Sequence, residues 1–337
     1  MKRTCRAWRV GIAALLALVP AVVAACGGDD ADERVEISLA LDWYPWSNHA
    51  GIYMAEERGY FEDEGLTVNI HVPADPTTGL QLVAAGEDDF TISYQADVLI
   101  ARGEGLDVQS VAALVQHPLN SIMTLASSGL ERPSQLAGRK VGIAGVASDE
   151  PLLATMLAAD GLTLDDVEVV TVGFDLMPAL LGGRVDAVLG AYWVHESILA
   201  ERQGQPVNVM RIEEWGVPDY YELLLVTSDT FVADNSDVVE RFIRALSRGY
   251  AAAQAEPVVA IDALVAANPE TDREVEIEGI ARLAPLWTDS GSVPWGTQTD
   301  DRWTSYAAWL RDEGILTTDV DPNDAFTNEF VQRAGSD

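Results

Sequence analysis

The eight residues from Asp42 to His49 hold an acid, two tryptophans, an amide and an imidazole. They stand in the segment LDWYPWSNHAG, where a β-like run gives way to a helical one. Asp42 can accept hydrogen bonds from an amine, and Trp43 or Trp46 can stack on a flat ring. Asn48 can donate and accept, and His49 can do either once its tautomer is set. Pro45 stiffens the turn, so these groups need little ordering on binding. A purely structural reading also exists, with the tryptophans in a core and Asn48 capping the helix. Asp42 and Trp43 favour a binding wall over that reading.

Four further segments carry similar chemistry. In LGAYWVHESILAE, Tyr192 and Glu196 are four residues apart, so a helical path puts them on one side with Trp193 beside them. An aromatic one turn from a carboxylate can stack on a ring while the acid takes its exocyclic amine. His195 falls between them and reads as a surface residue. SYQAD supplies Tyr94, Gln95 and Asp97; Gln95 suits the edge of a heterocycle, and Asp97 suits a cap equally well. EEWGVPDYYE supplies Trp215, Tyr220 and Tyr221, and GSVPWGTQTD places Trp295 on a candidate mobile loop. Catalytic and metal signatures are missing: there is no CxxC, HExxH, GxSxG or phosphate-binding glycine loop. The four histidines at 49, 71, 117 and 195 lack metal-ligand spacing. DPNDAFTNEF is acid-rich but lacks the ordered spacing of a calcium loop and reads as a cap for a terminal helix. Neither a metal nor a cofactor is expected.

The elements that must position these groups alternate. VEISLAL, LTVNIHVP, DFTISY and VQSVAALV read as strands, separated by helical runs of about ten residues. A second series begins with RKVGIAG and continues through VEVVTVG, VDAVLGAY and VNVMRI, and from residue 236 the chain reads as helical. Such alternation predicts an α/β fold with mostly parallel strands. Two such series make a bilobed protein of two doubly wound lobes with two crossovers. Lobe one is expected from residues 35–125 and 229–337, and lobe two from 126–228. The segments quoted above then fall at strand ends facing one cleft, the usual place for a ligand in such sheets.

The amino end has a different character. MKRTCRAWRV carries four cations, and GIAALLALVPAVVAA is apolar but short for a membrane span. Small residues then precede Cys26. This pattern predicts a lipoprotein signal peptide over residues 1–25, lipidation of Cys26 and a flexible tether over 26–34. The precursor's formal charge is −33; loss of the leader leaves 17 basic and 54 acidic residues, about −37. So acidic a surface repels nucleic acid. The expectation is a monomer held by lipid on the extracytoplasmic face of the cell membrane.

Taken in order, LDWYPWSNHAGIYMAEERGYFEDEGLTVNI, GEDDFTIS, ARGEGLDVQSVAAL, SQLAGRKVGIAG, GGRVDAVLGAYWVHE and VVERFIRALSRGYAAAQAEP resemble ABC-transporter substrate-binding proteins of the thiamine-pyrimidine-precursor type. The likeness spans roughly residues 35 to 310. It implies a type II periplasmic-binding-protein fold and a formylated aminopyrimidine or hydroxymethylpyrimidine as ligand, with ABC permease and ATPase subunits as partners. Asp42, Trp43, Asn48, His49, Tyr192 and Glu196 fall on matching positions, while Trp46 and Ser47 depart from a pattern of small or polar residues. The later motifs are shared with binders of sulfonate, nitrate and taurine. The strand ends hold Asp42, Asp97, Glu150 and Glu196 and almost no cation, which disfavours an anionic ligand; a riboflavin-like heterocycle stays open. The same superfamily includes a pyrimidine synthase that consumes its own histidine and pyridoxal phosphate. Here Asp97 stands for that histidine and Ser93 for the pyridoxal-holding lysine, and the iron-binding cysteine motif is absent. The expectation is a receptor and not an enzyme.

Overall fold

The computed structural model describes residues 34–289 and 294–335. The leader, Cys26 and nearly all of the tether lie outside the described residues. Ten strands form two five-stranded sheets among the described residues. The first holds β1 (Val35–Ala40), β2 (Leu66–His71), β3 (Phe90–Ser93), β4 (Val108–Val115) and β10 (Leu223–Ser228), in the order β2-β1-β3-β10-β4. The second holds β5 (Asn120–Leu125), β6 (Lys140–Ile143), β7 (Glu168–Thr171), β8 (Ala187–Tyr192) and β9 (Val207–Arg211), in the order β7-β6-β8-β5-β9. The inner strands β3 and β10 are buried along their whole length. Both faces of such strands are covered, so their burial does not alternate along the chain even where, as in Phe-Thr-Ile-Ser of β3, the residue types do.

The chain leaves the first sheet after Val115 and enters the second at Asn120; it leaves the second after Arg211 and returns at Leu223. The crossings therefore occupy residues 116–119 and 212–222, earlier than the expected boundaries at 125/126 and 228/229. The cause lies in the two strands that follow the crossings. β5 and β10 belong wholly to the lobe they enter, and each is inserted between two resident strands, β8 and β9 or β3 and β4. Both run antiparallel to their neighbours, whereas β1 with β2 and β3, and β6 with β7 and β8, are parallel. The sheets are thus mixed rather than mostly parallel. A strand entering straight from a short crossing starts at the cleft edge, so it must run against strands that end there.

The helix Ser236–Ala255 fixes the opening loop of the first lobe. Its buried face carries Val238, Phe242, Leu246, Gly249 and Tyr250. Phe242 stacks on Phe90 of β3, ring centroids 4.3 Å apart. It crosses helix Ala50–Glu57 at a pair of glycines: a Cβ on Gly249 would lie 2.2 Å from the Gly51 carbonyl oxygen, and one on Gly51 would lie 2.4 Å from the Tyr250 ring. This close approach lets the Tyr250 hydroxyl donate to the Asn48 carbonyl at 2.9 Å. Replacing Gly249 by Ala forces the helices apart and should destabilise the protein by about 1–3 kcal/mol. The check is the urea midpoint at unchanged slope; an unaltered midpoint would show that the crossing tolerates a methyl group.

Candidate functional site

The strand β1 delivers the chain to the cleft at Asp42. A short 3-10 turn, Ser47–His49, then leads into helix Ala50–Glu57. This loop is pinned from below: Glu276 accepts from the Ser47 amide at 2.6 Å, and the Thr271 hydroxyl donates to the Pro45 carbonyl at 3.2 Å. The Asp42 carboxylate, 5% exposed, meets His49 Nε2 at 2.8 Å through one oxygen and accepts from the Tyr94 hydroxyl at 3.1 Å through the other. Tyr94 stands just beyond β3, before helix Gln95–Gly103. Two partners therefore orient the acid, and each oxygen keeps a lone pair for a further donor.

The second lobe supplies the opposite wall. Tyr192 closes β8, and Glu196 folds back so that one carboxylate oxygen accepts from the Tyr192 amide at 2.8 Å. The Tyr192 ring stacks on Trp46 of the first lobe with centroids 5.4 Å apart and planes 10° from parallel. Gly190 lies in the same strand with φ of +101°, a conformation that favours glycine and keeps the wall free of a side chain there. Its amide donates to Asn120 Oδ1 at 3.0 Å. Asp149, at the start of helix Asp149–Ala159, accepts from the Gly145 and Val146 amides at 2.7 and 3.1 Å.

A carboxylate at the crossings joins these walls. Glu222 is 1% exposed and ends the second crossing. Its Oε2 accepts from the amides of Leu119, on the first crossing, and of Asn120, the first residue of β5, at 2.6 and 3.1 Å. The Tyr220 hydroxyl donates to the same oxygen at 3.0 Å. Burial pushes Glu222 up to about 7, against the pull of those two amides. Burial likewise raises Asp97 and Asp149 to about 7.

Together these residues enclose about 530 Å³ of empty space between the lobes, part of it open to solvent. Of the residues singled out in the sequence, Asp42, Trp43, Tyr94, Tyr192, Glu196 and Tyr220 line this pocket. Trp46, Asn120, Asp149, Glu222 and Tyr306 line it too and were not singled out as site residues, apart from Trp46 in the first segment. Among the described residues no lysine or arginine lines it. Two of its aromatic side chains have buried polar atoms without a partner, Trp46 Nε1 and Tyr306 Oη.

The other candidates sit elsewhere. His49 lies behind Asp42, fully buried. Asn48 neither caps the helix nor lines the pocket; its side-chain amide is buried without a partner. Gln95 is turned toward the second crossing, where it accepts from the Tyr221 amide at 2.8 Å. Trp193 lies under the Arg211 guanidinium, 4.1 Å from its ring centre, away from the pocket. The local backbone explains this pair: one residue on from Tyr94 into the first helical turn, or from Tyr192 out of its strand, the side chain leaves the cleft-facing direction. His195 is not a surface residue. It lies 2.9 Å from Glu276 of the first lobe and 3.6 Å from Glu196. Burial depresses its pKa, but the two carboxylates win and raise it to about 9. Trp295 stacks on Tyr250 at 4.8 Å, in the core of the first lobe rather than over the cleft.

Residues 46–260 match a family model described as NMT1/THI5 like. A formylaminopyrimidine-binding protein of Halalkalibacterium halodurans is 35% identical over 94% of this chain and 96% of its own length. A 4-amino-5-hydroxymethyl-2-methylpyrimidine phosphate synthase of Aspergillus parasiticus is 28% identical over 88% and 87%. The alkanesulfonate-binding protein of Xanthomonas axonopodis pv. citri, solved with MOPS bound, superposes with a TM-score of 0.69 at 15% identity, covering 88% of this chain and 99% of its own. The two mixed sheets and two lobes are those of the periplasmic-binding-protein fold.

The raised carboxyls dictate a pH dependence. Asp97, Asp149 and Glu222 hold protons more tightly in the folded chain than in the unfolded one, where they titrate near 3.8 or 4.5. The stability each contributes is complete below its unfolded value and is lost as pH rises through about 7. His195 acts in the same sense, losing its contribution between 6.5 and about 9. The ligand-free protein should melt at least about 2 °C higher at pH 6 than at pH 8. Glu222→Gln should shrink that difference. Equal melting temperatures, or a difference untouched by the substitution, would contradict the assignment.

Proposed function

The chain belongs to the NMT1/THI5-like family, and from that premise we propose that it is the extracytoplasmic solute receptor of an ABC importer, taking a thiamine pyrimidine precursor between its lobes. One observation carries the reading. Aromatic rings and carboxyls from both lobes share a single pocket, and among the described residues no cation lines it. An aminopyrimidine presents flat faces to stack, an amine to donate and ring nitrogens to accept. In this reading Asp42 and Glu222 receive the amine, with Glu196 and Asp149 beside them. Trp43, Trp46, Tyr94, Tyr192 and Tyr220 cover the ring. Tyr306 and the Trp46 N–H offer donors to its nitrogens. His49, Asn48, Gln95 and Trp193 act as positioning residues behind this shell. An anion such as a sulfonate or nitrate would meet several carboxyls here and no lysine or arginine.

The reading is of a receptor and not an enzyme. Ser93 has no amine with which to hold a pyridoxal aldehyde. Beyond Lys2 the chain has one lysine, Lys140, which is exposed and paired with Glu168 at 3.3 Å. Asp97 is committed to the amide of Ser148 at 2.8 Å. Closure around the ring excludes water and strengthens each hydrogen bond, and the closed shape is what a permease would read. Lipid on Cys26 would keep the receptor, as a monomer, at the membrane.

Calorimetry with 4-amino-5-hydroxymethyl-2-methylpyrimidine should give about −8 kcal/mol or better. Asp42→Asn should weaken this by about 1.5–3 kcal/mol, and nitrate and ethanesulfonate should produce no binding heat. Unchanged affinity in Asp42→Asn would remove that acid from the site, and tight binding of either anion would overturn the ligand class. Cys26→Ser should shift the protein from the membrane fraction to the soluble one; continued membrane association would refute lipidation there.

A further inference from the structure

Beside the inner pocket lies a second and larger hollow, about 1470 Å³ and open on one side to solvent. Trp43, Trp46, Leu176 and Glu196 line both, so the two hollows share a wall. The outer one has its own aromatic cluster. Phe174 of the second lobe packs against Trp43 and Tyr44 of the first, with ring centroids 4.7 and 4.9 Å apart. Tyr44 is 54% exposed, so an aromatic face stands open in the solvent at the mouth. Trp46, 5% exposed, also lines this hollow and carries an indole N–H without a partner.

Charge selects what can sit there. Asp175, Glu196, Glu270, Asp272 and Glu276 line the hollow together with His195, one imidazolium against five carboxyls, and among the described residues no lysine or arginine lines it. Glu196 and Glu276 are occupied by His195, and Asp272 caps helix Arg273–Leu283 by accepting from the Glu274 and Val275 amides. Asp175 and Glu270 remain exposed on opposite lobes, on either side of the aromatic cluster. An anion is repelled by this ring of acids. A small inorganic cation gains little from aromatic walls. A cation whose charge is spread over an apolar body satisfies both features, because the ring faces attract it and the carboxylates set its sign.

We propose that this outer pocket is a second binding site, for a small organic cation of the quaternary or aromatic ammonium class. It uses Tyr44, Phe174, Asp175 and Glu270, none of which lines the inner pocket, so the proposal stands whether or not a pyrimidine binds there. The probe is benzyltrimethylammonium, with benzyl alcohol as its uncharged counterpart, followed by tryptophan fluorescence. The cation should bind saturably and at least about tenfold tighter than benzyl alcohol. Tyr44→Ala and Glu270→Gln, both at exposed positions, should each weaken it by about three- to tenfold. Tyr306→Phe, which alters only the inner pocket, should leave it unchanged while lowering pyrimidine affinity. Equal binding of benzyl alcohol would overturn the proposal. So would the same weakening from Glu168→Gln, which would reveal bulk attraction to an acidic protein, or loss of the cation in Tyr306→Phe with retention in Tyr44→Ala.

Discussion

A single buried carboxyl, Glu222, holds together both the cleft and the hinge. It sits on one crossing, takes two amides from the end of the other and the strand that follows it, and receives the Tyr220 hydroxyl from the pocket. Without it the Leu119 and Asn120 amides would be stranded in a low-dielectric interior, at a cost of about 1–3 kcal/mol each. Its cost to the fold is the desolvation that raises its pKa to about 7. Whatever approaches that carboxyl from the cleft alters the charge at the point where the two lobes are joined. Ligand and hinge thus meet at one atom group, with no relay required between them.

Away from the hinge, several contacts hold the lobes against each other, among them the following four. Asp97 of the first lobe accepts from the Ser148 amide, at the start of a helix of the second. His195 reaches across to Glu276. Trp46 stacks on Tyr192, and Trp43 meets Phe174 edge-on. Two of these are charge-assisted and two are aromatic, and the aromatic pair borders the pocket. The recognition surface and the closing surface are therefore largely the same residues. Under the proposed function, a ring filling the pocket would add contact to groups that already bridge the lobes and so favour the closed arrangement.

Much of this was legible before the structure. Asp42, Trp43, Tyr94, Tyr192, Glu196 and Tyr220 could be picked out because each stands at or beside the end of a strand, and sheet topology gathers strand ends into one cleft. Gln95 and Trp193, which stand beside the pocket lining rather than in it, differ from Tyr94 and Tyr192 by one step along the chain, and the direction of that step is set only once the exact strand end or helix start is known. Glu222 was hidden by its setting. It lies inside YYELLLVT, an apolar run whose strand character is obvious, and only pairing across the crossings shows that its acid is buried on purpose. A lone carboxylate within such a run is the signal that was there to be read. The crossing positions were displaced for a related reason, since a strand's lobe is decided by its partners and not by its composition. His195 read as surface because nothing near it in the chain announces Glu276, more than eighty positions later.

The account stands or falls on where an amine-bearing ring comes to rest. A crystal structure with 4-amino-5-hydroxymethyl-2-methylpyrimidine bound is the most direct test. The exocyclic amine should lie within about 3.2 Å of a carboxyl oxygen of Asp42 or Glu222, with the ring face against Trp43, Trp46 or Tyr192. A ring lodged outside the cleft, or seated with its amine turned to solvent and both carboxyls unmet, would contradict it.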